Sequence, residues 1–226
     1  MVLAKVSETR AAILRDCPFF ACFSVEELQV LALSAAERVL LPGEFLFQRG
    51  ERPDRLYVLG RGIVKSIVYS SSGKALTLSL YASGDVVGEA AFLTGDSYAS
   101  SCTAVTKAWL LVIPRSALLP LLPSHPEVPL KAIEILVRRI VLLQSRLENI
   151  AGASAEQRLI SILLYLERKF GRELPLTKGA IAELAGLTTE TVIRIMSCLE
   201  RGGLVSSRRG CITFLDVAGL ERLLGA

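Results

Sequence analysis

Three textures follow one another along the hydrophobic and polar positions of the chain. Residues 1–22 carry a helical periodicity, and a second short helix opens at Ser24, where Glu27 three residues on completes a capping-box pattern. From Arg38 to about Ile113 the pattern changes to short β-favouring runs between glycine turns at Gly43, Gly50, Gly62, Gly73, Gly84, Gly88 and Gly95. The runs Phe45–Phe47, Leu56–Leu59, Ile63–Tyr69 and Leu76–Tyr81 read as strands, with Ser72-Gly73 as the hairpin turn between the last two. Strands at this spacing predict a small antiparallel barrel or roll. After Pro120, Pro123, Pro126 and Pro129, apolar residues recur by threes and fours at Ile133, Leu136, Ile140, Leu143, Leu147 and Ile150. That heptad spacing predicts a long helix, which Gly152 ends. Such a helix could pack on its own barrel or pair with a second copy. Val141 and Leu142 add apolar surface beyond one barrel contact and favour the pair. A second capping box, Ser154 with Gln157, starts an amphipathic helix through Leu159, Ile160, Leu163, Leu164 and Leu166 to about Phe170, before Gly171 and Pro175.

The chain has 226 residues, 51% of them hydrophobic and 21% charged, which suits a folded core and excludes a disordered protein. The richest apolar runs, Ala108–Pro114 and Ala117–Pro123, are closed by prolines and fall far short of the ~20 residues a membrane helix needs. The first residues hold no apolar signal core, so a cytoplasmic protein without membrane association is expected. Five scattered cysteines (Cys17, Cys22, Cys102, Cys198, Cys211) argue for reduced thiols over a disulfide framework. The net charge of +4 divides evenly about Ala151, so any affinity for a polyanion must rest on where charge is placed.

That placement is most telling between Leu176 and Val205. Leu176 to Glu200 reads as helix, tight turn, helix: Ala182 is small where two helices must approach, Gly186 supplies the turn, and Thr188 suits a helix N-cap. On the second helix Val192, Ile195, Met196 and Leu199 share the core face, and Thr189, Glu190, Ile193, Arg194 and Ser197 share the other. Arg194 can pair with guanine O6 and N7, Glu190 can accept from cytosine N4, and Ile193 suits a thymine methyl. As a surface i,i+4 pair, Glu190 and Arg194 would contribute only a few tenths of a kcal/mol. The helix–turn–helix context favours base reading in the major groove of double-stranded DNA. Beyond Gly202-Gly203, Leu204 to Phe214 reads as a β-hairpin with Arg208 and Arg209 at its tip, a wing suited to phosphate contact; Lys178 is placed with this set. Asp216 caps a last short helix.

In this order the sequence resembles the Crp/Fnr family of bacterial transcription regulators over nearly its whole length. The resemblance rests on residues 41–50 (LPGEFLFQRG), Gly84-Asp85-Val86-Val87-Gly88-Glu89 and Thr188-Thr189-Glu190-Thr191-Val192-Ile193-Arg194. It implies an α+β chain with an antiparallel cyclic-nucleotide-type β-roll at 1–125, a dimerisation helix at 126–151 and a winged helix–turn–helix at 152–226. The implied function is a homodimer that binds a palindromic operator, works with RNA polymerase and answers to a small-molecule or gas effector. Glu190 and Arg194 stand where the family reads a TGA-containing half-site. Thr189 stands where cyclic-AMP-binding members carry a further guanine-reading arginine, which moves the expected half-site from TGTGA towards TTGA.

The resemblance puts the effector pocket at Gly88, Glu89, Tyr98 and Ser100. Members that bind cyclic nucleotides use an arginine for the phosphate, and Tyr98 holds that position here. Burying a phosphate without a cation is costly, which disfavours cyclic AMP or GMP. Glu89 is then expected to accept backbone donors at a tight turn, and Tyr98 to fill the roll with its ring. An iron–sulfur cluster needs about four thiolates, and Cys17, Cys22 and Cys102 leave the set one short; a thiol switch at these residues is the other cysteine reading. The lone histidine, His125, sits in a loop before the long helix, where a structural or capping role is expected, and haem stays open. No phosphate-cradling loop, metal-ligand spacing or nucleophile–histidine pair supports an enzyme. The competing reading is a ligand- or redox-sensing dimeric module that does not act through DNA. Glu190, Arg194 and the arginine-bearing wing argue against it.

Overall fold

The computed structural model describes residues 2–71, 73 and 75–225, without the side chains of residues 2–7, 150, 151 and 225. Helix α1 (Val2–Asp16) is shorter than the periodicity predicts, because Pro18 has no amide hydrogen to continue it. A 3₁₀ turn, Pro18–Phe20, buries Phe19 and Phe20 instead. Helix α2 (Val25–Ser34) opens on the expected capping box: Ser24 Oγ accepts from Glu27 N–H at 3.2 Å, and Glu27 Oε2 accepts from Ser24 N–H at 2.9 Å.

Strands β1 (Ala36–Leu40), β2 (Phe45–Phe47), β3 (Arg55–Arg61), β4 (Val64–Tyr69), β5 (Ala75–Tyr81) and β6 (Val86–Val87) follow. Short helix α3 (Glu89–Thr94) precedes β7 (Ser101–Ala104) and β8 (Ala108–Pro114). The strands form two four-stranded sheets, ordered β1-β8-β3-β6 and β2-β7-β4-β5. Gly73 closes the β4–β5 turn with an N–H donated to Ser70 O at 2.9 Å, while Ser72 lies outside the described residues.

The central strands β3 and β8 are apolar on both faces. Side chains alternate across a strand, so Leu56, Val58, Leu111 and Ile113 enter a core with α1 and α2, while Tyr57, Leu59, Leu110 and Val112 enter the roll interior. A strand covered on both sides reads as a continuous apolar run, which accounts for Ala108–Pro114. Helix α4 (Arg115–Leu118) and a 3₁₀ turn, Leu119–Ser124, lead to the 26-residue α5 (Glu127–Gly152), which ends at the expected glycine.

Successive side chains on a helix turn by about 100°, which sorts the residues of α5. Val128, Ala132 and Ile135 pack on the helical core. On the far side Leu130, Ile133, Val137, Ile140 and Leu147 are exposed, Ile133 and Ile140 each to 54% and Leu147 to 66%. Leu136 and Leu143 fall between the two faces and are half-buried, and Val137 joins the exposed stripe. The side chain of Ile150 lies outside the described residues.

Two compact units result: Met1–Ile67 with Ser79–Arg139, and Val68–Leu78 with Ile140–Ala226. The second holds α6 (Ala155–Phe170), β9 (Glu173–Leu174), α7 (Lys178–Ala185), α8 (Thr189–Arg201), β10 (Val205–Arg208), β11 (Cys211–Phe214) and α9 (Val217–Gly225). Helix α6 carries the second capping box, Ser154 with Gln157. The strands form a small sheet ordered β10-β11-β9. Among the described residues no helix is long and apolar enough to cross a membrane.

Candidate nucleic-acid interface and effector region

Thr177 caps α7 by accepting from Ala180 N–H at 3.2 Å, and Thr188 caps α8 by accepting from Thr191 N–H at 3.2 Å. Between them Gly186 adopts φ +63°, a left-handed conformation that glycine enters without strain. Leu187 N–H then reaches back to Ala182 O at 2.9 Å, closing the turn. From α6, Arg158 Nη2 donates to Ala185 O at 2.7 Å and Gly186 O at 2.8 Å, satisfying carbonyls that the end of α7 leaves open. The turn that orients α8 is therefore fixed by a residue far away in sequence.

Val192, Ile195, Met196 and Leu199 are buried, so the opposite face of α8 is held outward. Thr189, Glu190, Ile193, Arg194 and Ser197 are all exposed there, with Ser197 Oγ donating to Ile193 O at 2.9 Å. Arg208 and Arg209 are exposed at the β10–β11 tip. Lys178 is placed differently from them. Its ammonium lies 3.4 Å from Glu200 at the far end of α8, and Glu200 also accepts a short hydrogen bond from Ser207 Oγ of β10. Glu200 thus ties α7, α8 and the wing together, a role with no sequence signal beyond its charge. Asp216 caps α9 as expected, its Oδ1 accepting from Gly219 N–H at 2.9 Å.

In the roll, Gly88 caps α3 with φ +88°. A Cβ at Gly88 would sit 3.1 Å from the Tyr98 ring, so glycine is needed there for space as well as for conformation. The Tyr98 ring fills the interior as expected, stacked on Phe47 at 3.7 Å between centroids, with its hydroxyl donating to Arg55 O at 3.2 Å. Ser100 Oγ pairs with Ser66 Oγ at 2.7 Å.

Glu89 departs from expectation. It is buried and takes its partner from α5: Arg139 Nη1 donates to Glu89 Oε1, and the guanidinium lies over the Tyr81 ring at 4.7 Å. Glu89 Oε2 is buried without a hydrogen-bond partner among the described residues. Burial pushes this carboxyl above the ordinary range, and Arg139 opposes the shift. The sequence does offer a signal for Arg139: it is the cation on the face of α5 that otherwise carries Val128, Ala132 and Ile135. A surface groove of about 1030 Å³, lined by Arg52, Asp54, Arg55 and Arg115 among others, includes none of Gly88, Glu89, Tyr98 and Ser100.

Of the candidate metal residues, Cys17 and Cys102 lie apart from each other and from Cys22 and His125. Cys17 is buried in the helical core, its thiol pushed up to about 11 by burial, and Cys102 is buried in the roll interior, its thiol also raised by burial. Cys22 is exposed. His125 caps the turn before α5, donating its backbone N–H to Leu122 O at 3.0 Å, and its ring stacks on Phe23.

The cyclic nucleotide-binding domain profile matches residues 37–125, and the Crp-like helix-turn-helix domain profile matches residues 157–223. The global nitrogen regulator of a Synechocystis species is 31% identical over 187 residues, 78% of this chain and 83% of that protein. The cyclic AMP receptor protein of Thermus thermophilus is 29% identical over 212 residues, 93% of this chain and 98% of that protein. FixK2 from Bradyrhizobium japonicum shares the fold, with a TM-score of 0.75 at 23% identity over 85% of this chain and 98% of its own. These relatives are regulators and not enzymes. A nucleotide-type roll leading into a Crp-like helix–turn–helix makes the chain a member of the Crp/Fnr family of DNA-binding transcription regulators.

Proposed function

We propose that this regulator reads a palindromic operator with TGA-containing half-sites through α8, with Arg194 and Glu190 on base edges and Arg208 and Arg209 on phosphate. The observation that carries the reading is the exposed Thr189–Glu190–Ile193–Arg194–Ser197 face, held outward by a fully committed core face. An N-terminal helix turn carrying guanidinium and carboxylate matches what the major groove of a G·C-containing site presents. The dimer forms along the exposed stripe of α5, and the regulator acts on RNA polymerase in the cytoplasm. Arg194→Ala is expected to cost ~1–3 kcal/mol of operator affinity and to relax selectivity at one base pair. Fluorescence anisotropy with operators substituted at each position measures both. Retention of full selectivity would overturn the assigned face.

The effector in this reading is not a cyclic nucleotide. Tyr98 fills the place of the phosphate-binding cation, and the cation that does reach Glu89 is bound to it. A ligand that engages Glu89 must compete with Arg139 and so acts on α5 directly. Its effect then equals its preference for one arrangement of that contact over the other. Titration with cyclic AMP is expected to give no heat and no change in operator affinity. An absorbance spectrum of protein purified without oxygen, before and after reconstitution with haemin, separates a haem gas sensor, which shows a Soret band, from a colourless sensor.

A further inference from the structure

One cluster of metal-ligating side chains lies apart from both the recognition face and the effector residues. Cys22 in the turn before α2, His125 in the turn before α5 and Glu127 in the first turn of α5 bring a sulfur, a ring nitrogen and a carboxylate oxygen within 4.8 Å of one another. The imidazole is held on two sides: it stacks on Phe23 at 4.3 Å, and its Nε2 lies 2.8 Å from Glu27 Oε1. With a carboxylate as partner, Nε2 is the donor in the neutral ring, which leaves Nδ1 as a lone-pair acceptor. A histidine oriented by a carboxylate on its other nitrogen is the usual support of a metal ligand. Glu27 is itself fixed, since its second oxygen accepts from Ser24 N–H in the capping box.

We propose that Cys22, His125 and Glu127 form a binding site for a divalent transition-metal ion of the zinc type, with Glu27 as the residue that positions His125. The donor set selects the ion. One thiolate, one imidazole and one carboxylate suit zinc, whereas calcium and magnesium require oxygen ligands. Tetrahedral zinc with sulfur and nitrogen ligands places its donors about 3.5 Å apart, so the present spacing of up to 4.8 Å asks the donors to close by about 1 Å. Partial burial and the nearby Glu127 and Glu27 carboxylates hold the Cys22 thiol above its ordinary range, and a bound dication would reverse that field. Three protein ligands leave a fourth position for water, the make-up of an open and exchangeable site. The ion would join the segment before α2 to the start of α5.

The test uses the full chain stripped of metal and titrated with Zn²⁺ alone, then separately with Co²⁺ alone. One ion per chain is expected, and Co²⁺ should give the near-ultraviolet thiolate-to-cobalt band together with tetrahedral visible bands. Cys22→Ser should abolish the thiolate band, and Glu27→Gln should weaken zinc binding ~10–100-fold while the band persists. Cys198→Ser, which removes another exposed thiol, should change neither. Cys22 is exposed, so its loss leaves the fold intact, which circular dichroism verifies. No binding, a thiolate band that survives Cys22→Ser, or one that Cys198→Ser removes would each overturn the proposal. None of these readouts depends on operator binding.

Discussion

Arg139 brings its charge to a carboxylate that is almost wholly out of water. Neither group is tolerable there without the other, because an uncompensated buried ion costs several kcal/mol. Arg139→Ala strands Glu89, whose second oxygen already lacks a partner among the described residues. The loss is expected to be ~3 kcal/mol near neutral pH. Its pH dependence has a definite sign. Burial already holds the Glu89 carboxyl above its ordinary range, and removing the cation raises it further. The native variant then keeps a proton that the unfolded chain releases above about pH 4.3, so the variant loses stability as pH rises. Urea midpoints for wild type and variant should lie closer together at pH 5 than at pH 8. Equal gaps at both would mean that Glu89 is not the group left unpaired.

Each helix of the DNA-reading pair is short, and most of its specification is local. The cap at Thr188, the left-handed Gly186 and the amphipathic face of α8 are all legible in the sequence, because each lies within one turn of what it acts upon. The same holds for both capping boxes and for four of the roll's strands, β2 to β5, whereas β1, β6, β7 and β8 fall outside the predicted strand runs. Arg158 and Glu200 are not legible in their roles, since their partners lie 27 and 22 residues away and no period marks such a contact. The helical period puts Arg139 on the packed face of α5 but does not name Glu89, 50 residues away, as its partner. Periodicity alone overextends α1, because it gives no weight to the missing amide of Pro18. Arg158 makes the long-range contribution measurable. Its two charge-assisted bonds close the carbonyl end of α7, and each such bond contributes ~1.5–3 kcal/mol. Discounting for partial exposure, Arg158→Ala is expected to destabilise the second unit by ~2 kcal/mol. It should also weaken operator binding without changing which bases are preferred. Thermal unfolding and a base-by-base affinity profile check the two effects separately, and a changed base preference would assign Arg158 a direct contact.

At the scale of the whole molecule, a palindromic operator asks for a two-fold protein, and a two-fold interface must be self-complementary. The exposed stripe Leu130–Ile133–Val137–Ile140–Leu147 has the spacing for that, three and four residues apart with one polar interruption at Gln144. Leaving such side chains in water forfeits ~1–2 kcal/mol each, which pairing with a second copy recovers. The seam is legible as a heptad, but its centre is not. Leu136 and Leu143 are half-buried, and Val137 stands in the exposed stripe instead. Replacing both Ile133 and Ile140 by Glu sets carboxylates across from one another in the pairing stripe at two exposed positions. Sedimentation should then report a monomer with unchanged circular dichroism. Two half-sites held by one dimer gain ~10²–10⁴-fold over one half-site held alone, so affinity for the full palindrome should fall by at least ~100-fold. Affinity for a duplex with a single half-site should stay the same, because α8 and the wing are untouched. A variant that remains dimeric would move the interface off this face of α5. A monomer that still binds the palindrome at full strength would mean that the two half-sites are read independently.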